Sequence, residues 1–228
     1  MKKLGARPSA STLEPEMTDE ELSGLKSWLQ TAGLKAGHLE IGTAAGGTLC
    51  FLMNQYAATD RPQFTVVDTM SYFADQMDTV KRNLTNHELA PGQIDFRVMS
   101  SDNAFAKAEA DKDRFDFILV DASHKVRYVM NDLRWMRLLN VGGLACFHDY
   151  APQFKGVRWP IDRFLRRNPH FTRVDQAGSL LCLRKEREAA RPEVTGADRL
   201  WAWTCSPILQ WDLSIQKRRN RRRKVKEG

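Results

Sequence analysis

One glycine-rich stretch, residues 38–53, constrains the fold more than any other part of the chain. It begins as a short apolar strand from Leu39 to Ile41, passes through a loop, and continues as a helix-compatible apolar run. A strand, a glycine turn and a helix form the first unit of a nucleotide-binding α/β fold. Glycine permits positive φ in such a turn and lets the backbone approach a ligand closely. The loop glycines are Gly42, Gly46 and Gly47.

The rest of the chain alternates short apolar strands with helix-compatible segments. A capping-box pattern at Thr18 and Glu21 predicts a helix ahead of the first strand, over residues 18–31. Further helices are predicted at 72–89, 103–110, 125–139 and 160–167, and strands at 64–68, 94–99, 115–121, 144–149, 171–174 and 179–183. This alternation predicts an α/β fold with a doubly wound, Rossmann-like sheet, mostly parallel with an antiparallel edge strand.

The net charge of +7 is concentrated at one end of the chain. The last twelve residues contain eight basic residues and one acidic residue, so the remaining 216 residues are neutral. Cys50 and Cys146 lie in apolar runs and are predicted to be buried, reduced thiols, which suits the cytoplasm. No apolar run is long enough to span a bilayer.

Composition divides the chain into four regions. We expect a flexible N-terminal arm at 1–16, a folded α/β domain at 17–186, a tryptophan-rich extension at 187–216 and a basic, disordered tail at 217–228. Three alternatives remain for the C-terminal regions: packing on the domain or on a second copy in a homo-oligomer, peripheral contact with an anionic membrane at its inner face, or nucleic-acid binding. The neutral domain argues against nucleic acid.

Polar residues follow several predicted strands at the carboxyl edge of the sheet, where open α/β sheets bind ligands. Asp68 ends the second strand 26 residues after Gly42, and a carboxylate there can accept hydrogen bonds from both ribose hydroxyls. Asp121 and Asp149 end neighbouring predicted strands. Two close carboxylates repel unless a proton or cation lies between them, so a hard divalent ion is expected there.

Two histidines accompany these acids. His124 lies three residues after Asp121, where an imidazole could act as a general base toward a bound hydroxyl. His148 directly precedes Asp149, and three alternatives remain for it: to bind the metal, to support a ligand, or to be a hydrogen-bonded polar residue at the strand end.

Four motifs together resemble those of the class I S-adenosylmethionine-dependent methyltransferases. More narrowly, the chain resembles the metal-dependent branch that includes catechol and macrolide-sugar O-methyltransferases and cephalosporin-hydroxylase-like proteins. The resemblance covers residues 39–184, and two departures are Ala44 at the middle loop glycine and His148, where the macrolide-sugar enzymes tend to have an acid. The motifs are Leu39 to Thr48, the acid Asp68, Val120 to His124 and Val141 to Tyr150.

The resemblance implies a cofactor, a metal and a reaction. S-adenosyl-L-methionine would be the donor, a divalent metal (Mg²⁺ first) would be held by Asp121, His148 and Asp149, and His124 would be the catalytic base. The implied reaction is O-methylation of a sugar or glycoconjugate hydroxyl; the alternatives are a catechol-like phenol as acceptor, a nucleic-acid-associated protein, and a non-catalytic domain that binds a partner. The implied cofactor-binding residues are Glu40, Gly42, Thr43, Gly46, Thr48, Asp68, Ser101, Asp102 and Asp121.

Overall fold

The structure, a computed structural model, describes residues 16–207. The predicted N-terminal arm therefore lies outside the described residues except for Glu16. Residues 208–216 of the tryptophan-rich extension and the whole basic tail also lie outside them. Within residues 16–207, no helix is long and apolar enough to cross a membrane.

Helices and strands alternate through most of the described chain. A last helix, α7, occupies residues 196–207 and reaches the end of the described chain. The other helices are α1 (Asp19–Ala32), α2 (Gly47–Met53), α3 (Gln76–Asn86), α4 (Ser101–Ala110), α5 (Val126–Asp132) and α6 (Lys155–Arg167), and the strands are β1 (Gly37–Ile41), β2 (Phe64–Asp68), β3 (Ile94–Val98), β4 (Phe115–Val120), β5 (Leu139–Phe147), β6 (Phe171–Ala177) and β7 (Leu180–Lys185).

The strands form one seven-stranded sheet in the order β3-β2-β1-β4-β5-β7-β6. Strands β1 to β5 pair in parallel, and β7 joins them antiparallel between β5 and β6. The predicted Rossmann-like sheet with an antiparallel edge is therefore confirmed. The strand order reverses between β1 and β4, and this crevice is where doubly wound sheets bind their ligands.

Both faces of the sheet are buried, which explains the continuous apolar run of β4. Phe117 and Leu119 point into one hydrophobic cluster, whereas Ile118 and Val120 point into the other. Successive side chains of a strand alternate between faces, so a strand covered on both sides is apolar throughout.

Helix α1 follows its sequence signals closely. Thr18 and Glu21 form the predicted capping box, and Gly33 ends the helix in the left-handed conformation. The predicted thiols also agree with the structure, because Cys50 and Cys146 are buried and free.

Three predicted helices differ from the structure by four residues or more at one end. Helix α3 begins only at Gln76, whose side-chain oxygen accepts from the backbone N–H of Tyr72. Helix α5 ends at Asp132 and gives way to a 3₁₀ segment, Leu133–Leu138. Helix α6 begins at Lys155, so Pro160 lies inside it rather than in its first turn, and the carbonyl of Gly156 lacks its usual helical donor.

Candidate functional site

The loop after β1 lies directly against the loop after β4. Gly42 has φ of +84°, and a Cβ on it would lie 2.3 Å from the carbonyl oxygen of Asp121. The positive φ agrees with the sequence prediction, but the close approach at Gly42 is to the protein backbone. Glycine at this position therefore places the polar residues of the two loops side by side.

Helix α3 holds the rest of the glycine loop. Gly46 has φ of +88°, and a Cβ there would lie 3.3 Å from a methyl group of Val80. Gln76 donates its amide to the carbonyl of Ala44, and Asn83 donates to that of Ala45, each at 2.9 Å. These two buried amides were not among the predicted site residues, although polar residues seven apart on an amphipathic helix are a signal in the sequence.

Asp68 lies at the end of β2, as predicted, and its carboxylate is already oriented. Its Oδ2 accepts from the backbone N–H of Thr43 at 3.0 Å, and its Oδ1 accepts from that of Met70 at 2.7 Å. Each oxygen keeps a second lone pair, so the carboxylate can still accept from two hydroxyls.

Glu40 lies on β1, two residues before Gly42, and is almost completely buried, at 1% exposure. Its Oε2 makes no hydrogen bond within the described structure. Burial, reinforced by the charges of Asp121 and Asp68, raises the pKa of Glu40 to about 8. One oxygen of this carboxyl is therefore an unpartnered polar atom beside the loop, of the kind that a hydrogen-bond donor on a ligand would satisfy.

Ser101 and Asp102 belong to a network that joins α4 to α5 and to the 3₁₀ segment after it. Asp102 accepts from Asn131 and Arg134, both at 2.7 Å, and Ser101 accepts from the indole of Trp135 at 2.9 Å. These contacts give both residues a structural function beside the cofactor contact predicted for them. Thr48, in the first turn of α2, is 8% exposed.

Asp121, His148 and Asp149 come together at the ends of the neighbouring strands β4 and β5. One ligand atom from each lies within 4.8 Å of the others. Nδ1 of His148 lies 3.1 Å from Oδ1 of Asp121 and 3.8 Å from Oδ2 of Asp149. Asp149 has φ of +59°, a left-handed conformation that directs it into this cluster.

The imidazole of His148 lies between carboxylates, and this sets its charge. Burial alone would lower its pKa, but the hydrogen bond to Asp121 and the charges of Asp121, Asp149 and Glu21 raise the pKa to about 9. Without a metal, a protonated His148 therefore balances the two aspartates at neutral pH. A metal ligand must be neutral imidazole, so a metal and this proton would exclude each other.

His124 lies just before α5 and joins the same cluster. Its Nε2 lies 2.6 Å from Oδ2 of Asp149, and its ring centroid lies 5.1 Å from that of Phe154. Nearly half of the His124 side chain is exposed, so solvent or a substrate can reach it. A Cβ on Gly156 would lie 2.0 Å from the carbonyl oxygen of His124, so this glycine lets α6 pack onto the loop.

Glu21 is a member of the site that sequence analysis assigned only to the cap of α1. It is 4% exposed, and its Oε2 lies 3.5 Å from Nε2 of His148. The capping-box pattern identified its local contact with Thr18, whereas no sequence signal pointed to His148.

A family model described as a methyltransferase domain matches residues 39–150, from β1 through the whole cluster. This chain is a class I S-adenosylmethionine-dependent methyltransferase. No curated protein is similar enough in sequence to count as a relative of the methyltransferase.

Solved structures support the fold of this methyltransferase. The O-methyltransferase from Bacillus cereus in complex with SAH has a TM-score of 0.60 and 17% identity, covering 78% of this chain and 87% of that one. TomG, the O-methyltransferase of tomaymycin synthesis from Streptomyces achromogenes, in complex with SAM, gives 0.59 and 15%, covering 75% and 82%. CalS11, a TDP-rhamnose 3′-O-methyltransferase of calicheamicin biosynthesis, gives 0.59 and 13%, covering 72% and 77%.

The residues present fit the methyl donor. The loop after β1 offers a buried carboxyl without a hydrogen-bond partner at one oxygen, and β2 ends in an oriented carboxylate with lone pairs to spare. The first can meet an ammonium group and the second a pair of ribose hydroxyls.

Proposed function

We propose that this methyltransferase transfers the methyl group of S-adenosylmethionine to a hydroxyl of a sugar or glycoconjugate, with a divalent metal and with His124 as the general base. The observation that carries the proposal is the cluster of Asp121, His148 and Asp149 with His124 beside it. Three candidate ligands, two carboxylates and one imidazole, converge there at the carboxyl ends of two adjacent strands, next to the predicted donor site.

The cluster offers a divalent metal two carboxylate oxygens and one imidazole nitrogen. These three atoms lie within 4.8 Å of one another, and Nδ1 of His148 lies 3.1 and 3.8 Å from the carboxylates of Asp121 and Asp149. A divalent ion held by Asp121, His148 and Asp149 would act as a Lewis acid that lowers the pKa of an acceptor hydroxyl. Mn²⁺ accepts the same carboxylate ligands as Mg²⁺ and its binding can be followed directly by electron paramagnetic resonance, so Mn²⁺ is the better probe.

Asp149 prepares His124 to accept a proton. Burial opposes ionisation of Asp149, but the hydrogen bond with His124 and the charge of His148 hold its pKa below the usual value. The carboxylate holds Nε2 of His124, which leaves Nδ1 as the nitrogen that takes the acceptor's proton. Bound S-adenosylmethionine would supply the methyl group to the acceptor oxygen and leave as S-adenosylhomocysteine, while His124 would hold the proton that the acceptor gives up.

A cavity between α6 and α7 offers a site for a carbohydrate acceptor, and charged and indole side chains surround it. One of these side chains, Asp162, accepts a hydrogen bond through Oδ1 from the hydroxyl of Tyr150 at 2.5 Å, and Tyr150 directly follows Asp149 in the chain. Aromatic faces with a few fixed polar groups are typical of ligand sites. The lining residues are Trp159, Asp162, Arg166 and Trp201.

Methyl transfer from labelled S-adenosylmethionine tests the reaction. With Mn²⁺, we expect labelled product from a panel of nucleoside-diphosphate sugars and none from catechol, and we expect a chelator to abolish transfer. S-adenosylhomocysteine should raise the melting temperature by mass action. Labelled catechol with no labelled sugar would overturn the sugar acceptor, and full activity in chelator would overturn the metal mechanism.

The variant His124→Ala tests the base. We expect turnover to fall by about 10²–10⁴-fold, the usual loss when a general base is removed. The affinity for S-adenosylhomocysteine, measured by calorimetry, should be unchanged because the donor contacts lie on other loops. His87→Ala is the matched control, since His87 is exposed at the end of α3. Equal turnover in the two variants would contradict the role of His124.

A further inference from the structure

Helix α1 places a carboxylate beside the cluster of Asp121, His148 and Asp149. This helix precedes the residues that the family model matches. Glu21 is the third residue of α1, and the match begins only at residue 39. Its Oε2 lies 3.5 Å from Nε2 of His148, within ion-pair distance, and both side chains are largely buried.

The carboxylate of Glu21 is fixed from two sides. Its Oε1 accepts from the backbone N–H and the hydroxyl of Ser179, at 2.8 and 2.6 Å. Its Oε2 accepts from the backbone N–H and the hydroxyl of Thr18, at 2.8 and 3.0 Å. Glu21 therefore presents a charge of fixed position and orientation to His148.

The two nitrogens of His148 face different partners. Nδ1 faces Asp121 and Asp149, whereas Nε2 faces Glu21. A carboxylate beside Nε2 favours the neutral tautomer that carries its hydrogen there, which leaves the lone pair of Nδ1 directed at the aspartates. Histidines that bind metals commonly donate their other N–H to a carboxylate in this way.

We propose that Glu21 is a positioning residue that holds His148 as an Nδ1 ligand of the metal. The inference rests on the metal site of the proposed function. It also accounts for an imidazole at position 148, where the macrolide-sugar enzymes that the sequence resembles tend to have an acid. An acid at position 148 would face Glu21 at close range and be repelled, whereas an imidazole is oriented by it.

Mn²⁺ binding to the full-length, metal-free protein tests this inference without turnover. Titration would be followed by the electron paramagnetic resonance signal of free Mn²⁺, with no donor or acceptor present. We expect Glu21→Gln to weaken Mn²⁺ affinity by about 10–100-fold, the usual effect of losing such an outer carboxylate. The matched control Glu20→Gln changes the same chemistry at the exposed neighbouring residue and should bind as the wild type does.

Two further variants separate positioning from stability. Ser179→Ala removes one hydrogen bond to Glu21 but keeps its charge, so it should lower the melting temperature with less than a threefold change in Mn²⁺ affinity. In a His148→Asp background the effect of Glu21→Gln should reverse, because removing a repelling charge should strengthen Mn²⁺ binding. A merely structural role of Glu21 would not reverse sign.

The outcomes are distinct for the two proposals. Wild-type protein that binds no Mn²⁺ overturns the metal site and this inference with it. Wild-type protein that binds Mn²⁺ while Glu21→Gln binds it equally well overturns the inference alone. Equal weakening by Glu21→Gln and Ser179→Ala would also overturn it, because the effect would then follow from stability.

Discussion

At the scale of single residues, Glu40 shows how a ligand site is maintained at a cost to stability. The folded chain keeps this carboxyl almost completely buried with one oxygen unpartnered, and burial raises its pKa to about 8 from an ordinary value of 4.5. The folded state therefore binds a proton that the unfolded state releases above pH 4.5. The contribution of Glu40 to stability is complete below pH 4.5 and is lost as the pH rises through about 8.

Glu40→Gln should remove this pH dependence. Between pH 5 and 7.5, the free energy of unfolding of the variant should rise relative to that of the wild type by about 1.4 kcal/mol per pH unit. Urea unfolding of metal-free and cofactor-free protein at both pH values measures the difference. Glu20→Gln serves as the exposed control, and parallel pH curves for wild type and Glu40→Gln would contradict the prediction. The variant should also bind S-adenosylhomocysteine more weakly.

Sequence patterns predicted the residues whose partners lie nearby or at the same edge of the sheet. Asp68, Asp121 and Asp149 were found because parallel strands end together, so position along a strand determines position in the site. Glu21 was found only as a cap, because its contact with Ser179 spans 158 residues and depends on how α1 packs on the hairpin. Local periodicity carries no information about such a contact.

At the scale of elements, α6 shows why helix bounds were harder to predict. Pro160 indicated a first turn, but the helix begins five residues earlier and continues past the proline. Tertiary packing compensates for the missing hydrogen bond: Val157, Ile161 and Phe164 bury one face of α6 in the core. The earlier start brings Gly156 against the carbonyl of His124.

Gly156→Ala should therefore act on the catalytic loop through α6. A Cβ 2.0 Å from the carbonyl oxygen of His124 cannot be accommodated without a shift of α6 or of that loop. We expect a loss of about 1–3 kcal/mol of stability, and turnover lowered about tenfold or more while S-adenosylhomocysteine affinity is kept. Gly92→Ala is the control, since a Cβ there would meet nothing within 4 Å. Wild-type turnover in Gly156→Ala would show that the loop tolerates the shift.

At the scale of the whole molecule, the positive charge is concentrated at the C-terminal end of the sequence, and exposed apolar side chains precede it on α7. Leu200 and Trp203 lie three residues apart on α7 and are 63% and 62% exposed, whereas Asp198 and Ala202 face the domain. In sequence, the chain then continues through further apolar residues to the basic tail. Association with an anionic membrane remains a prediction, and the exposed side chains add an apolar contact to it.

Flotation with liposomes tests that prediction. The full chain should float with anionic vesicles but not with neutral ones, and salt should release it, since each basic residue near such a surface contributes about 1 kcal/mol. Truncation after Pro207 and the double variant Leu200→Ser/Trp203→Ser should each weaken flotation without changing S-adenosylhomocysteine affinity. Val141→Ser, at an exposed position on β5, is the control. A full chain that ignores anionic vesicles at low salt would contradict the prediction.

The contact between Glu21 and Ser179 also determines how early the active site can be completed during protein synthesis. A ribosome makes Glu21 early and its partner in the β6–β7 turn 158 residues later. Until that hairpin emerges, Glu21 lacks its Ser179 contacts, and β5 is an edge strand with an apolar, unpaired flank. The nascent chain can therefore form its parallel strands before it can complete its active site. Truncated or stalled chains of this methyltransferase should consequently be more prone to aggregate than the finished protein.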